Sequence, residues 1–207
     1  MTELSLLQKI LVWAPPVLFA ITVHEAAHGY AARALGDDTA ARLGRLSLNP
    51  LRHIDPVGTV LVPGVLLMLG GFLFGWAKPV PVDMRRLHRP RQDMALVAAA
   101  GPAANAVMAL GWGLLLKWQA GGSGETALLL SYMAVAGIII NLVLMVLNLL
   151  PMPPLDGSRV LAGLLPEPAA RVLDRIEPFG LYLILGLMIS GVLTTLLQDP
   201  LRASAGL

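Results

Sequence analysis

Four apolar runs, about Leu6–Ala32, Met94–Trp118, Ala127–Leu150 and Phe179–Leu197, constrain this chain more than anything else in its sequence. Each is close to the roughly 20 residues needed to cross about 30 Å of hydrocarbon. Of the 207 residues 56% are hydrophobic and only 14% charged, where a soluble domain carries about 25% charge. Backbone polar groups in lipid must be satisfied within the segment, so such runs become helices. The expected fold is an all-α polytopic membrane protein with about four transmembrane helices. A fifth run, Val57–Trp76, is broken by Pro63, Gly64, Gly70 and Gly71, which suits a re-entrant segment. ARLGRLSLNP at 41–50 alternates apolar and polar residues, and KPVPVD at 78–83 is barred from helix by its prolines. Together they are expected to form a small β-hairpin or sheet near the cytoplasmic face. Ser158–Glu177 mixes arginines with leucines and valines and is expected along the membrane surface. The chain reads as one domain, 1–207, with its core at 6–160 and an amphipathic segment and last helix at 161–207.

The net charge of +2 has no basic tract behind it, so nucleic acid is not an expected partner. There is no cysteine, which excludes disulfides, thiolate metal sites and a cysteine nucleophile. No positively charged leader precedes the first run, because Glu3 offsets Lys9, and that run is read as retained. Arginines cluster after the first run, before the Met94 run and after the Ala127 run, whereas QAGGSGE at 119–125 has none. If basic loops stay cytoplasmic, three connections share that side and the N-terminus lies outside. The arrangement requires Val57–Trp76 to enter and return.

Into the first apolar run the sequence sets HEAAH, residues 24–28. In a helix His24 and His28 lie about 40° apart around the axis and roughly 6 Å along it, so both imidazoles leave one face. Glu25 stands beside them, able to hold a water without ligating. H-E-x-x-H is the pattern in which two histidines bind zinc and the glutamate is general base. The plain alternative is polar packing between helices. Ionisable groups are expensive at that depth, and they face polar cavities where they occur.

A catalytic zinc takes three protein ligands and keeps one position open. Asp156, in NLLPMPPLDGSRV, is the outstanding third candidate: Pro151, Pro153 and Pro154 end the helix and extend the chain into Leu155-Asp156-Gly157. Taken alone, the same residues spell an ordinary turn. To meet the histidines, Asp156 needs an odd number of crossings between the first and Ala127 runs. The Met94 run supplies one.

HEAAH, together with Asn148-Leu-Leu-Pro-Met-Pro-Pro-Leu-Asp156-Gly157, resembles the site-2 protease family of intramembrane zinc metalloproteases, whose signatures are H-E-x-x-H and N-x-x-P-x-P-x-L-D-G. NPLRHIDPVGT, FGWAKPVPV and AGPAANAVMA are similar to compact members without a PDZ or CBS domain, and the likeness runs from about residue 20 to 160. The resemblance implies one Zn2+ held by His24, His28 and Asp156, Glu25 as catalytic base, and regulated proteolysis of transmembrane protein substrates within membrane lipid.

Asn148 and Asn105 are intramembrane amides expected to steady the substrate carbonyl or oxyanion, with interhelical hydrogen bonding as the alternative. Asn141 reads as helix packing. His53 and Asp55 read as loop-structuring residues and His88 as solvated. The expected location is a prokaryotic inner membrane with the active site toward the cytoplasm. A non-proteolytic metal-binding protein or a transporter is the rival reading, and the sequence gives no oligomeric state.

Overall fold

Ser5 starts the first helix by reciprocal capping: its hydroxyl accepts from the Gln8 N–H (3.3 Å), and its own N–H donates to Gln8 Oε1 (2.9 Å). In this computed structural model, which describes residues 5–62, 65 and 75–191, α1 then runs Leu6–Ala34 through Pro15 and Pro16. Neighbouring helices let a membrane helix keep such prolines. Gly36 ends it with φ +110°, a conformation glycine reaches without a Cβ clash. Buried Asp37 follows, accepting from the N–H groups of Thr39 (3.0 Å) and Asp83 (2.7 Å). It thereby ties the end of α1 and the first residue of α2 (Thr39–Arg42) to the chain at Asp83.

The next long helices are α3 (Pro90–Gln119), with proline in its first turn, and α4 (Glu125–Leu149). These two and α1 are the helices long and apolar enough to cross a membrane among the described residues. His28 meets Val97 while His24 meets Asn105, so α1 and α3 are antiparallel. Asn105 meets Asn141, and Trp112 lies against Gly137, so α3 and α4 are antiparallel too. Helices α1 and α4 therefore point the same way, and among the described residues α3 is the helix of spanning length between them. Small residues at the contacts, Ala20, Ala32, Ala98 and Ala134, are buried and let the backbones approach.

The chain leaves α1 and reaches α3 on one face: the His88 N–H donates to Leu35 O (3.1 Å). Trp76 N–H likewise donates to Gly58 O (3.0 Å), so the broken apolar run departs and returns at one point. Most of that run, and with it the re-entrant expectation, lies outside the described residues. The fourth apolar run is described only in α7 (Gly180–Ile189); residues 192–207 lie outside as well.

The expected β-hairpin or sheet is not formed: there is no strand among the described residues. Residues 41–50 curl instead of extending, with Arg45 N–H returning to Ala40 O (2.8 Å) and Gly44 at φ +64°. KPVPVD is extended but unladdered. Its donors end on scattered acceptors: Lys78 N–H on His53 O (2.8 Å), Val80 N–H on Glu25 Oε2 (2.9 Å) and Asp83 N–H on Asp37 Oδ2 (2.7 Å). Pro79 and Pro81 have no donor to offer, so alternation of side chains did not suffice for a sheet.

After α4, Pro151–Leu155 turns the chain into α5 (Asp156–Leu164), followed by α6 (Glu167–Ile176). Arg91 at the start of α3 donates to Ala162 O (2.7 Å) and Leu165 O (2.6 Å). These C-terminal carbonyls have no partner inside α5, so the guanidinium both satisfies them and fixes α5 against α3.

Candidate metal centre

The helical spacing of His24 and His28 does what the sequence suggests: both rings leave one face of α1, with centroids 4.7 Å apart and planes at 89°. Gly101 of α3 lies against them, and an added Cβ there would sit 2.5 Å from His28 Nε2 and 2.6 Å from His24 Cε1. Only a residue without a side chain lets α3 come this close. Pro102, next in sequence, has no N–H for the carbonyl four residues back. That carbonyl is Ala98 O; one residue earlier in α3, Val97 O accepts from Nδ1 of His28 (2.8 Å).

Asp156 enters from the far end of the chain. Gly157 is what admits it: a Cβ at 157 would fall 2.3 Å from Leu149 O and 2.4 Å from Leu150 O, so any other residue would push α5 away from the end of α4. Asp156 Oδ2 then lies 3.2 Å from His24 Nε2 and 3.4 Å from His28 Nε2, and the two Nε2 atoms are 3.1 Å apart. A carboxyl group binds a metal as its anion.

These three groups fit a metal ion on the chemistry of the donor set. His28 is obliged to donate from Nδ1, because its partner is a carbonyl, which leaves the Nε2 lone pair turned inward. Asp156 Oδ2 is buried and has no hydrogen-bond donor. Acceptor atoms packed together around a buried negative charge call for a cation. Tetrahedral ligands about 2.0–2.2 Å from zinc lie roughly 3.3 Å from one another, close to the three separations here.

Beside the triad is a cavity of about 280 Å³ whose polar lining is His24, Glu25, His28, Asn148, Asp156 and Arg159. Glu25 Oε2 accepts the Val80 N–H (2.9 Å), which fixes one carboxylate oxygen. Asn148 donates from Nδ2 to Leu144 O (3.0 Å) of its own helix and lines the cavity. Arg159 is held by Glu177 at 2.7 Å.

Of the two sequence expectations for Asn105, the structure shows the interhelical hydrogen bond. The residue is fully buried and not part of the cavity lining. Its Oδ1 is 2.6 Å from His24 Nδ1, and its Nδ2 donates to Asn141 Oδ1 (2.9 Å). It stands behind His24, away from the cavity. His53 and Asp55 structure their loop: Nε2 of His53 bonds Ser47 O (2.8 Å), and Asp55 caps the next turn through Val57 N–H (3.0 Å) and Gly58 N–H (2.7 Å). Gly101 and Val80 went unnoticed as site residues. Their signals were present, in the i, i+4 spacing of Gly101 to Asn105 and in a valine that is the lone donor between two prolines.

Residues 116–190 match the model of peptidase family M50. That stretch holds Asp156 and Asn148, while HEAAH precedes it. The chain is 39% identical over 191 residues to "Putative zinc metalloprotease YwhC" of Bacillus subtilis, covering 90% of this chain and 84% of that one. It is 31% identical over 177 residues to "Putative zinc metalloprotease Rip2" of Mycolicibacterium smegmatis, covering 85% of this chain and 66% of the relative. The Mycobacterium tuberculosis (strain H37Rv) protein of the same name is 32% identical over 176 residues with the same coverage. No solved structure matches the chain.

Proposed function

Since this chain belongs to peptidase family M50, and is thus an integral membrane zinc metalloprotease, we propose that it hydrolyses peptide bonds of transmembrane proteins at the site built from His24, Glu25, His28 and Asp156. The observation that carries the proposal is the convergence of two imidazoles and a carboxylate, 128 to 132 residues apart in sequence by their numbering, within 4.8 Å of one another beside Glu25.

Zinc bound there would supply Lewis acidity, activating a water at neutral pH and polarising the scissile carbonyl. His24, His28 and Asp156 would hold the ion. Glu25 takes the proton of the attacking water and passes it to the leaving amine. The Val80 N–H occupies Oε2 and leaves Oε1 for that proton, so one backbone bond sets the direction of the base. Asn148, in the cavity with a second amide hydrogen to donate, is placed to meet the carbonyl oxygen. The helical substrate must unwind before its carbonyls become available, because its own hydrogen bonds occupy them.

The same reading puts the site toward the cytoplasmic side of a prokaryotic inner membrane, on the strength of the arginine clusters flanking the helix ends near the triad. Replacement of Glu25 by Gln is the deciding experiment. Membrane stubs that accumulate in cells with the intact protein should vanish with Glu25→Gln, while the purified variant retains one zinc. Unchanged stubs would remove proteolysis at this site. A transporter would tolerate the substitution in its transport function, since it needs no base.

A further inference from the structure

Asn141 touches neither the cavity nor the triad, yet the hydrogen bonds behind His24 take their direction from it. Its Nδ2 donates to Gly137 O (2.8 Å). A backbone carbonyl only accepts, so the amide of Asn141 has one allowed orientation and turns Oδ1 toward α3. Oδ1 in turn only accepts, which obliges Asn105 to present Nδ2 to it (2.9 Å). The other end of Asn105, Oδ1, therefore faces Nδ1 of His24 (2.6 Å) and requires a proton there. With Nδ1 protonated, neutral His24 keeps its Nε2 lone pair for the ion. His28 is bonded directly to a backbone carbonyl, Val97 O. His24 reaches one, Gly137 O, only through two amides spanning α3 and α4.

We infer that Asn141 is a positioning residue that acts through Asn105 to lock His24 in the zinc-binding tautomer. Both amides are fully buried, so bulk water does not compete for their hydrogen bonds, and Asn141→Leu would fill the space of the lost amide. Without Asn141, the Asn105 amide is free to turn over. Its NH2 would then face Nδ1 and favour the tautomer with a proton on Nε2, 3.1 Å from His28 Nε2 and in the place of the ion. Ordinary interhelical packing would be served equally by either orientation of the amide pair; the Gly137 carbonyl is what separates the two. The inference rests on His24 being a zinc ligand.

The test uses the full chain in lipid nanodiscs. Zinc affinity is measured by chelator competition, and 15N-histidine spectra of the metal-free protein report the tautomer. Asn141→Leu should weaken zinc by about tenfold and show His24 in mixed tautomers. Asn105→Asp in the Asn141→Leu background should restore affinity, because either carboxylate oxygen accepts from Nδ1. Zinc affinity unchanged in Asn141→Leu, or wild-type His24 protonated at Nε2, would overturn the inference. If Asn141→Leu does not fold, the wild-type tautomer decides. Wild-type protein that binds no zinc would instead sink the ligand assignment, a separate failure.

Discussion

Gly101 and His28 touch: the space a methyl group at 101 would need is taken by His28 Nε2, 2.5 Å from the ideal Cβ position. Gly101→Ala must therefore move either α3 or the imidazole pair. Overpacking of this kind costs typically 1–3 kcal/mol, about that here, and the displaced ring no longer aims at the ion. The expected outcome is a folded, less stable protein that loses zinc to a chelator at least about tenfold more readily. Equal zinc retention would show that the rings have room to spare.

Val80 gives Glu25 its orientation through a backbone N–H, so side-chain replacement there should be tolerated and removal of the donor should not. Val80→Pro deletes that hydrogen. Turnover should fall roughly 10- to 100-fold as the base loses its alignment, with zinc content unchanged. Val80→Ala, which keeps the donor, is the control. If the two variants cleave alike, the contact does not matter to catalysis.

Asp156 and Gly157 form a pair for different reasons, one as the candidate third zinc ligand and the other as the residue that lets it arrive. Asp156→Ala should strip zinc from the purified protein. Gly157→Ala should do so as well without touching a ligand, because its Cβ would collide with Leu149 O and Leu150 O. A crystal or cryo-EM structure of Gly157→Ala should show α5 shifted away from the end of α4. Full zinc occupancy in Asp156→Ala would take that residue out of the ligand set.

Asp37 lies beyond the end of α1, where burial pushes its carboxyl up and hydrogen bonds from Thr39 and Asp83, with the Arg86 charge, more than offset it and lower it. A carboxyl lowered in the folded state adds stability that is fully present above its unfolded value and is lost as pH falls through the folded one. Wild-type protein should therefore lose stability below about pH 4. Asp37→Asn should be less stable by about 1–2 kcal/mol at pH 7 and flatter across the acid range. Parallel melting curves at pH 7 and in acid would measure this; equal acid slopes would refute it.

The local pattern of the chain was enough for the long helices and for half of the metal centre. Apolar length dictated α1, α3 and α4, because unsatisfied backbone in lipid leaves no other regular choice. The four-residue spacing of His24 and His28 dictated a shared face, because helical geometry needs no partner. Helices α1 and α4 also point the same way, as a meeting of Asp156 with the histidines requires, with α3 the helix of spanning length between them among the described residues. The β expectation failed at Ala41–Pro50 and Lys78–Asp83 because a strand exists only when another segment supplies a ladder, and alternation says nothing about that supply. Tertiary structure alone decided which acceptors the Val80 and Asp83 amides would find, and that Asn105 would face a histidine instead of the cavity. It also decided how closely α3 approaches the imidazoles. Those outcomes depend on distances between segments remote in sequence, and the hydrogen-bond capacity of an amide or the absence of a side chain at Gly101 acquires a meaning only once a neighbour is there to meet it.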